Sequence, residues 1–164
     1  MARVYKFSAY DANLALKVSP TLWLAVLFLL RPYVVMVLSF ANRRDPMGLI
    51  EMFYADRLPM VVASIAALPV IAFLVSYIKR SKAENTQWAQ RLWHRGRELL
   101  MASAMLNVFV VFFPYLVDPH HKMTLVGVAQ LVVTVLVLLF LARSKRVKDT
   151  FADYPKPQDA AKGD

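Results

Sequence analysis

An arginine stands in the middle of an apolar run. In Phe28-Leu29-Leu30-Arg31-Pro32-Tyr33-Val34-Val35 a guanidinium and an imino acid interrupt residues that otherwise suit a membrane interior. A guanidinium in such a place can bind an anion, pair with an acid, or hydrogen-bond neutral acceptors. Pro32 has no N–H to give to the carbonyl of Phe28, so that oxygen is one possible acceptor. The strongly polar groups of the later apolar runs are Asn107 and Gln130. No Asp or Glu lies in any of these runs, so no ion pair within one chain is available there. Arg31 must be answered by Asn107, Gln130, backbone, lipid phosphate, water or another molecule.

Depth makes the first two plausible together. At 1.5 Å per residue, Arg31 lies about 16 Å from the cytoplasmic end of its run, Gln130 about 18 Å from that side and Asn107 about 12 Å, in the orientation argued below. The candidate site is therefore an intramembrane polar layer of Arg31, Asn107 and Gln130. Tyr33 points about 160–200° around the helix from Arg31 and serves another face. A central Arg costs about 2.5–3.5 kcal/mol on insertion, while each Leu, Val or Phe returns about 0.3–0.6 kcal/mol. The run tolerates Arg31, so its presence alone proves no function. Interhelical hydrogen bonding is the plain alternative to a ligand or anion path and to an acidic group on a partner.

Other reactive types are sparse. Asp118-Pro119-His120-His121 brings an acid and two imidazoles together, but adjacent His residues diverge by about 100° on a helix and no further ligand is near in sequence. A helix cap is the simpler reading. His94 stands alone, and all three His lie outside the apolar runs, against a haem held between helices. With no Cys there is no disulfide, zinc ribbon or thiol nucleophile. No paired carboxylate, Ser/His/Asp spacing or Gly-rich phosphate loop is present. No catalytic residue, metal or cofactor is assigned on this basis.

The elements that position Arg31 follow from hydropathy. The 164 residues are 59% apolar, above the roughly 45–50% of soluble domains. About 20 apolar residues cross a bilayer, and four stretches qualify: 20–41, 58–78, 99–117 and 119–142, the last with its apolar run from Met123. The expected fold is an all-α integral membrane four-helix bundle. Ser19-Pro20, Asp45-Pro46 and Asp118-Pro119 read as helix starts. Ser39-Phe40-Ala41 looks like a signal-peptide cleavage site, but the run before it is too long and is broken by Arg31-Pro32.

The net charge is +9, and its placement matters more than its size. The cations cluster in the N-terminal arm 1–19, in the loop after the second stretch (Lys79, Arg80, Lys82, Arg91, Arg95, Arg97) and in the tail 143–164. The opposite side holds Arg43, Arg44, Arg57 and Lys122. The positive-inside rule then puts both termini in the cytoplasm, N-in/C-in. Nucleic acid is not the expected partner, because no basic stripe lies on a compact domain.

Outside the spans, 46–54 is too short to cross and reads as an interfacial helix or packed loop, with Met47, Ile50 and Tyr54 on one face. Thr86 to Glu98 reads as one helix running into the third span. Its Trp88, Arg91, Trp93 and Arg95 suit a lipid-facing interface with anionic headgroups, and a protein docking surface is the alternative. The tail, with prolines and small polar residues beyond Lys148, is expected to be largely disordered.

Phe7-Ser8-x-Tyr10-Asp11, Leu16-Lys17-x-x-Pro20, Leu22-Trp23, the central Arg31 and Phe53-Tyr54-x-Asp56 before a span with Pro69 resemble the YfeZ-like inner-membrane proteins of proteobacteria. The resemblance is closest over residues 5–80 and follows hydropathy beyond. It implies a bacterial inner-membrane location and supplies no activity, since the family has no known function. The leading expectation is a non-enzymatic accessory or assembly subunit, with a membrane-protein partner or a homo-oligomer. A small transporter or channel using Arg31 toward an anion is the alternative, followed by a lipid-binding protein or membrane enzyme.

Overall fold

The computed structural model describes residues 10, 15–42, 44, 45, 47–54, 57–81, 86–117 and 124–154. Among them the fold is all-helical, with one isolated antiparallel bridge between Tyr10 and Leu16. The helices are α1 (Pro20–Leu29), α2 (Arg31–Ala41), α3 (Gly48–Phe53), α4 (Arg57–Ala66), α5 (Leu68–Ser81), α6 (Gln87–His94), α7 (Gly96–Val117), α8 (Leu125–Arg143) and α9 (Lys145–Ala152).

By length and composition, 59–80 and α8 can each cross a membrane, and α1 with α2 makes a third span if the bent pair is one. The expected third span, 99–117, lies within α7, a helix of 22 residues. α7 is central, packing against α1, α4, α5 and α8.

Helix starts follow their caps. Ser19 Oγ accepts from the Leu22 N–H at 3.2 Å, with Pro20 in the first turn. Thr124 Oγ1 accepts from the Gly127 N–H at 3.1 Å to start α8. The Asp118-Pro119-His120-His121 motif lies outside the described residues.

The stretch 20–41, expected as one span interrupted by Arg31-Pro32, forms two helices bent by 64° at Leu30. The cause is Pro32, which cannot donate to Phe28 and whose ring crowds that carbonyl. A second break, at Ala67, precedes Pro69. Here Ser103 Oγ of α7 donates to the Ala66 carbonyl at 2.7 Å, a side-chain bond to backbone of the kind that tolerates Pro within a span. Small residues let α4 and α7 approach: Ala63, Ala66, Ser103 and Ala104 are all buried.

At the end that carries α9, the predicted helix through Thr86–Glu98 breaks at Arg95. Residues 145–152, expected within a disordered tail, form α9. Val147, Thr150 and Phe151 of α9 are buried at i, i+3, i+4 spacing. Gly96 is why they fit, since a Cβ there would collide with the Phe151 ring. The core at this end gathers Phe73, Trp93, Leu100, Leu141, Val147 and Phe151.

Candidate functional site

The bend places Arg31 as the first residue of α2, directly after the break. Its Nη2 donates to Asn107 Oδ1 at 3.0 Å and to Gln130 Oε1 at 3.1 Å. The structure thus brings together Arg31 from α2, Asn107 from α7 and Gln130 from α8. Asn107 is fully buried and its Nδ2 donates to the Ser103 carbonyl at 3.4 Å, which orients Oδ1 toward the guanidinium. Gln130 Nε2 reaches the Phe53 carbonyl at 3.5 Å, so the end of α3 is tied to the same layer. Thr134 Oγ1 donates to the Gln130 carbonyl at 2.6 Å.

Arg31 also meets Phe28, by its ring rather than by the carbonyl that the proline frees. The guanidinium carbon lies 4.7 Å from the ring centroid, a cation–π distance. Tyr33 turns away from this layer, donating to the Ser64 carbonyl at 2.8 Å.

Tyr54 completes the cluster and is not foreseen from the sequence. It follows α3, is 5% exposed, and packs with Val35 and Ala63. Burial raises its phenol above the ordinary value, and the Arg31 charge and hydrogen-bonding pull act in the opposite sense. Tyr54 Oη, Arg31 Nε and Arg31 Nη1 are buried without a geometrically formed hydrogen bond. The two side chains are electrostatic neighbours whose polar atoms are not aligned on each other. Of the guanidinium's five N–H bonds, the two on Nη2 meet acceptors, and those on Nε and Nη1 form no well-aligned bond among the described residues. Orphaned buried donors are costly and rare.

The predicted lipid-facing set divides. Trp88 and Arg91 are exposed on α6, and Arg95 is exposed just after it. Trp93 is not: it is fully buried, so its assignment to the lipid interface is corrected. Five residues turn a helix by about 140° past a full circle, which takes Trp93 off the face of Trp88. Trp93 Nε1 donates to the carbonyls of Thr150 and Asp153 at 3.2 and 3.0 Å. Its ring stacks on Phe73 and meets Phe151. The Arg80 guanidinium lies 4.4 Å from the Trp93 ring and donates to the Leu16 carbonyl at 3.0 Å. Asp153 Oδ2 accepts from the Leu16 N–H at 2.7 Å. Arg80 and Trp93 are thus structural ties between the N-terminal segment, α5, α6 and α9.

His94 is exposed and lies on its own helix turn, Nδ1 being 2.7 Å from the Gln90 carbonyl. Among the described residues no group of His, Asp or Glu is arranged to hold a metal ion. Among the described residues, polar side chains converge inside the apolar helices in the layer around Arg31, which offers a positive charge and hydrogen-bond donors.

Residues 5–153 match the family described as protein of unknown function (DUF2919). The chain is 26% identical to the protein named inner membrane protein YfeZ of Escherichia coli (strain K12) over 143 residues, 87% of this chain and 90% of that one. No solved structure matches. With a match over almost its whole length, the chain belongs to the DUF2919 family and is YfeZ-like.

Proposed function

We propose that the chain is a small non-enzymatic inner-membrane protein that crosses the bilayer four times, with both termini in the cytoplasm, and receives an anionic group at Arg31. The observation that carries the reading is the set of buried N–H donors on Arg31 that form no bond among the described residues, beside the buried Tyr54 hydroxyl on which the guanidinium acts. A guanidinium fork matches carboxylate and phosphate oxygens. In a low-dielectric interior its charge attracts an anion strongly. The neighbours are two amides and a phenol, groups that bind and orient an anion through hydrogen bonds.

The test is thermal unfolding in detergent with chloride, acetate or phosphate added, at matched ionic strength. Wild type is stabilised by at least one of them, while Arg31→Gln and Tyr54→Phe show a smaller shift. Equal shifts in all three proteins, or none in wild type, reject the reading. Orientation is tested separately, because a chain without Cys allows single-cysteine labelling. A cysteine at Lys148 reacts with a membrane-impermeant maleimide only after permeabilisation, and one at Asp45 reacts before. The reverse pattern overturns N-in/C-in.

A second reading, an accessory or assembly subunit, is favoured by α8. Only 17% of its apolar window is buried within the chain, so most of its surface is available to lipid or a partner span. Co-purification of a membrane protein in mild detergent supports it, and recovery of the chain alone counts against it.

A further inference from the structure

α1 and α8 both rest on α7 and leave an open groove between them. It holds about 260 Å³. Leu24, Ala25 and Phe28 form one wall, and Val133, Val137 and Phe140 the other. Thr21, in the first turn of α1, also lines it. From Phe28 to Thr21, and from Val133 to Phe140, the groove runs about 10 Å along the helices.

The walls say what can occupy it. A helix with its side chains is about 10–12 Å across, so a partner helix lays side chains over a slot of this size and does not enter it along its length. A single hydrocarbon chain does, and Leu24, at 67% exposed, shows that the groove opens toward where lipid would lie.

The groove is apolar at its Phe28 end and approaches cations at the other. Arg143 follows Phe140 by three residues on the same face of α8 and is exposed. Lys145 and Arg146 come next, both exposed, and Lys17 is exposed just ahead of α1. Arg97 adds a further charge at this level, its Nε donating to the Leu141 carbonyl at 2.8 Å and its Nη2 to the Ala142 carbonyl at 2.9 Å. Of the described acids nearby, Glu98 is exposed on α7, Asp149 is half-buried on α9 beside Lys145 and Arg146, and Asp153 is bonded to the Leu16 N–H. The excess at this end is positive.

We infer that the α1/α8 groove seats one acyl chain of an anionic phospholipid of the cytoplasmic leaflet, with its phosphate at Arg143. The chain lies along the groove toward Phe28 and the headgroup stays at the water boundary, the ordinary direction for a lipid of that leaflet. The leaflet assignment rests on the N-in/C-in orientation proposed above. Lipid retention in detergent is independent of orientation, so the labelling experiment and this one fail separately.

The experiment is native mass spectrometry of the full chain in mild detergent, with phosphatidylglycerol or phosphatidylethanolamine added in equal amounts. Wild type keeps one phosphatidylglycerol in preference to phosphatidylethanolamine. Leu136→Trp, a change at an exposed residue lining the groove, fills it and lowers retention of both lipids. Arg143→Gln leaves the groove open and lowers the preference for phosphatidylglycerol about fivefold, the effect of one basic residue near a charged headgroup. Helical circular dichroism and a single gel-filtration peak verify that both variants fold. Unchanged retention in Leu136→Trp, or an unchanged preference in Arg143→Gln, overturns the assignment. So does a bound protein in place of lipid.

Discussion

Arg31 Nη2 and Asn107 Oδ1 meet at 3.0 Å, joining the first residue of α2 to the fully buried middle of α7. The pair is a charge-assisted hydrogen bond between a guanidinium and a neutral amide. Removing either partner strands the other: Asn107→Leu leaves Nη2 with Gln130 alone, and Arg31→Met leaves two amide oxygens without this donor. Each single change is expected to destabilise by about 1–3 kcal/mol. The double variant is expected to lose less than the sum, with a coupling of about 0.6–2 kcal/mol. Reversible unfolding in mixed detergent micelles measures all four corners of the cycle. Additive losses would mean that the bond contributes nothing beyond packing.

Much of this layer is legible in the sequence for a simple reason. Arg31, Asn107 and Gln130 are strongly polar groups at similar depth, and a polar group in lipid must find another. What escapes is whatever depends on the bend. Pro32 announces a break but not its 64° angle, and that angle decides that Arg31 meets the Phe28 ring. Tyr54 escapes because it follows a segment too short to span, and its burial against Val35 and Ala63 is a tertiary result. Trp93 is misread when residue type is allowed to outweigh phase. Ala89, Trp93, Gly96 and Leu100 share one buried face by spacing, and that signal was present. α9 hides behind its lysines and arginines, although Val147, Thr150 and Phe151 carry a helical period.

Tyr54 gives a pH dependence with a defined sign. Its phenol is raised above 10.0, first by burial, with Arg31 opposing. Above pH 10.0 the unfolded chain releases this proton before the folded chain does. The folded state then binds more protons, so stability falls as pH rises from 10.0 through the folded value, and below that window the contribution is fully present. Tyr54→Phe is expected to flatten this decline. Unfolding free energies at pH about 8 and about 11 for both proteins isolate the term from other titrating groups. An identical decline in both would remove Tyr54 as its source.

The bend itself can be tested at Pro32. Pro32→Ala restores an N–H that can donate to the Phe28 carbonyl, and it removes the ring that crowds that oxygen. The helix over 20–41 is expected to straighten in at least part of the population. Spin labels at Leu24 and Val37, both exposed on either side of the break, report this as a longer distance by pulsed electron resonance. The same variant is expected to loosen the Arg31 layer, because turning α2 moves the guanidinium relative to Asn107. An unchanged distance would show that packing against α7, rather than the missing hydrogen bond, sets the angle.

Gly96 and Trp93 together hold α9 in place. Gly96→Ala puts a methyl group into the space of the Phe151 ring, and the ring cannot retreat without leaving Phe73 and Trp93. Trp93→Phe keeps an aromatic ring but removes the donor shared by the Thr150 and Asp153 carbonyls. Both changes are expected to release α9, at a cost of about 1–3 kcal/mol each. Limited trypsin digestion reads the release directly, since Lys145, Arg146 and Lys148 are exposed basic residues on a helix that must unfold locally to be cut. Faster cleavage there, with the spans intact, is the expected result. Trp93→Phe should also weaken the tie to the N-terminal segment, because Arg80 stacks on this ring while bonding Leu16. Wild-type cleavage rates in both variants would show that α9 is held by Val147 and Phe151 burial alone.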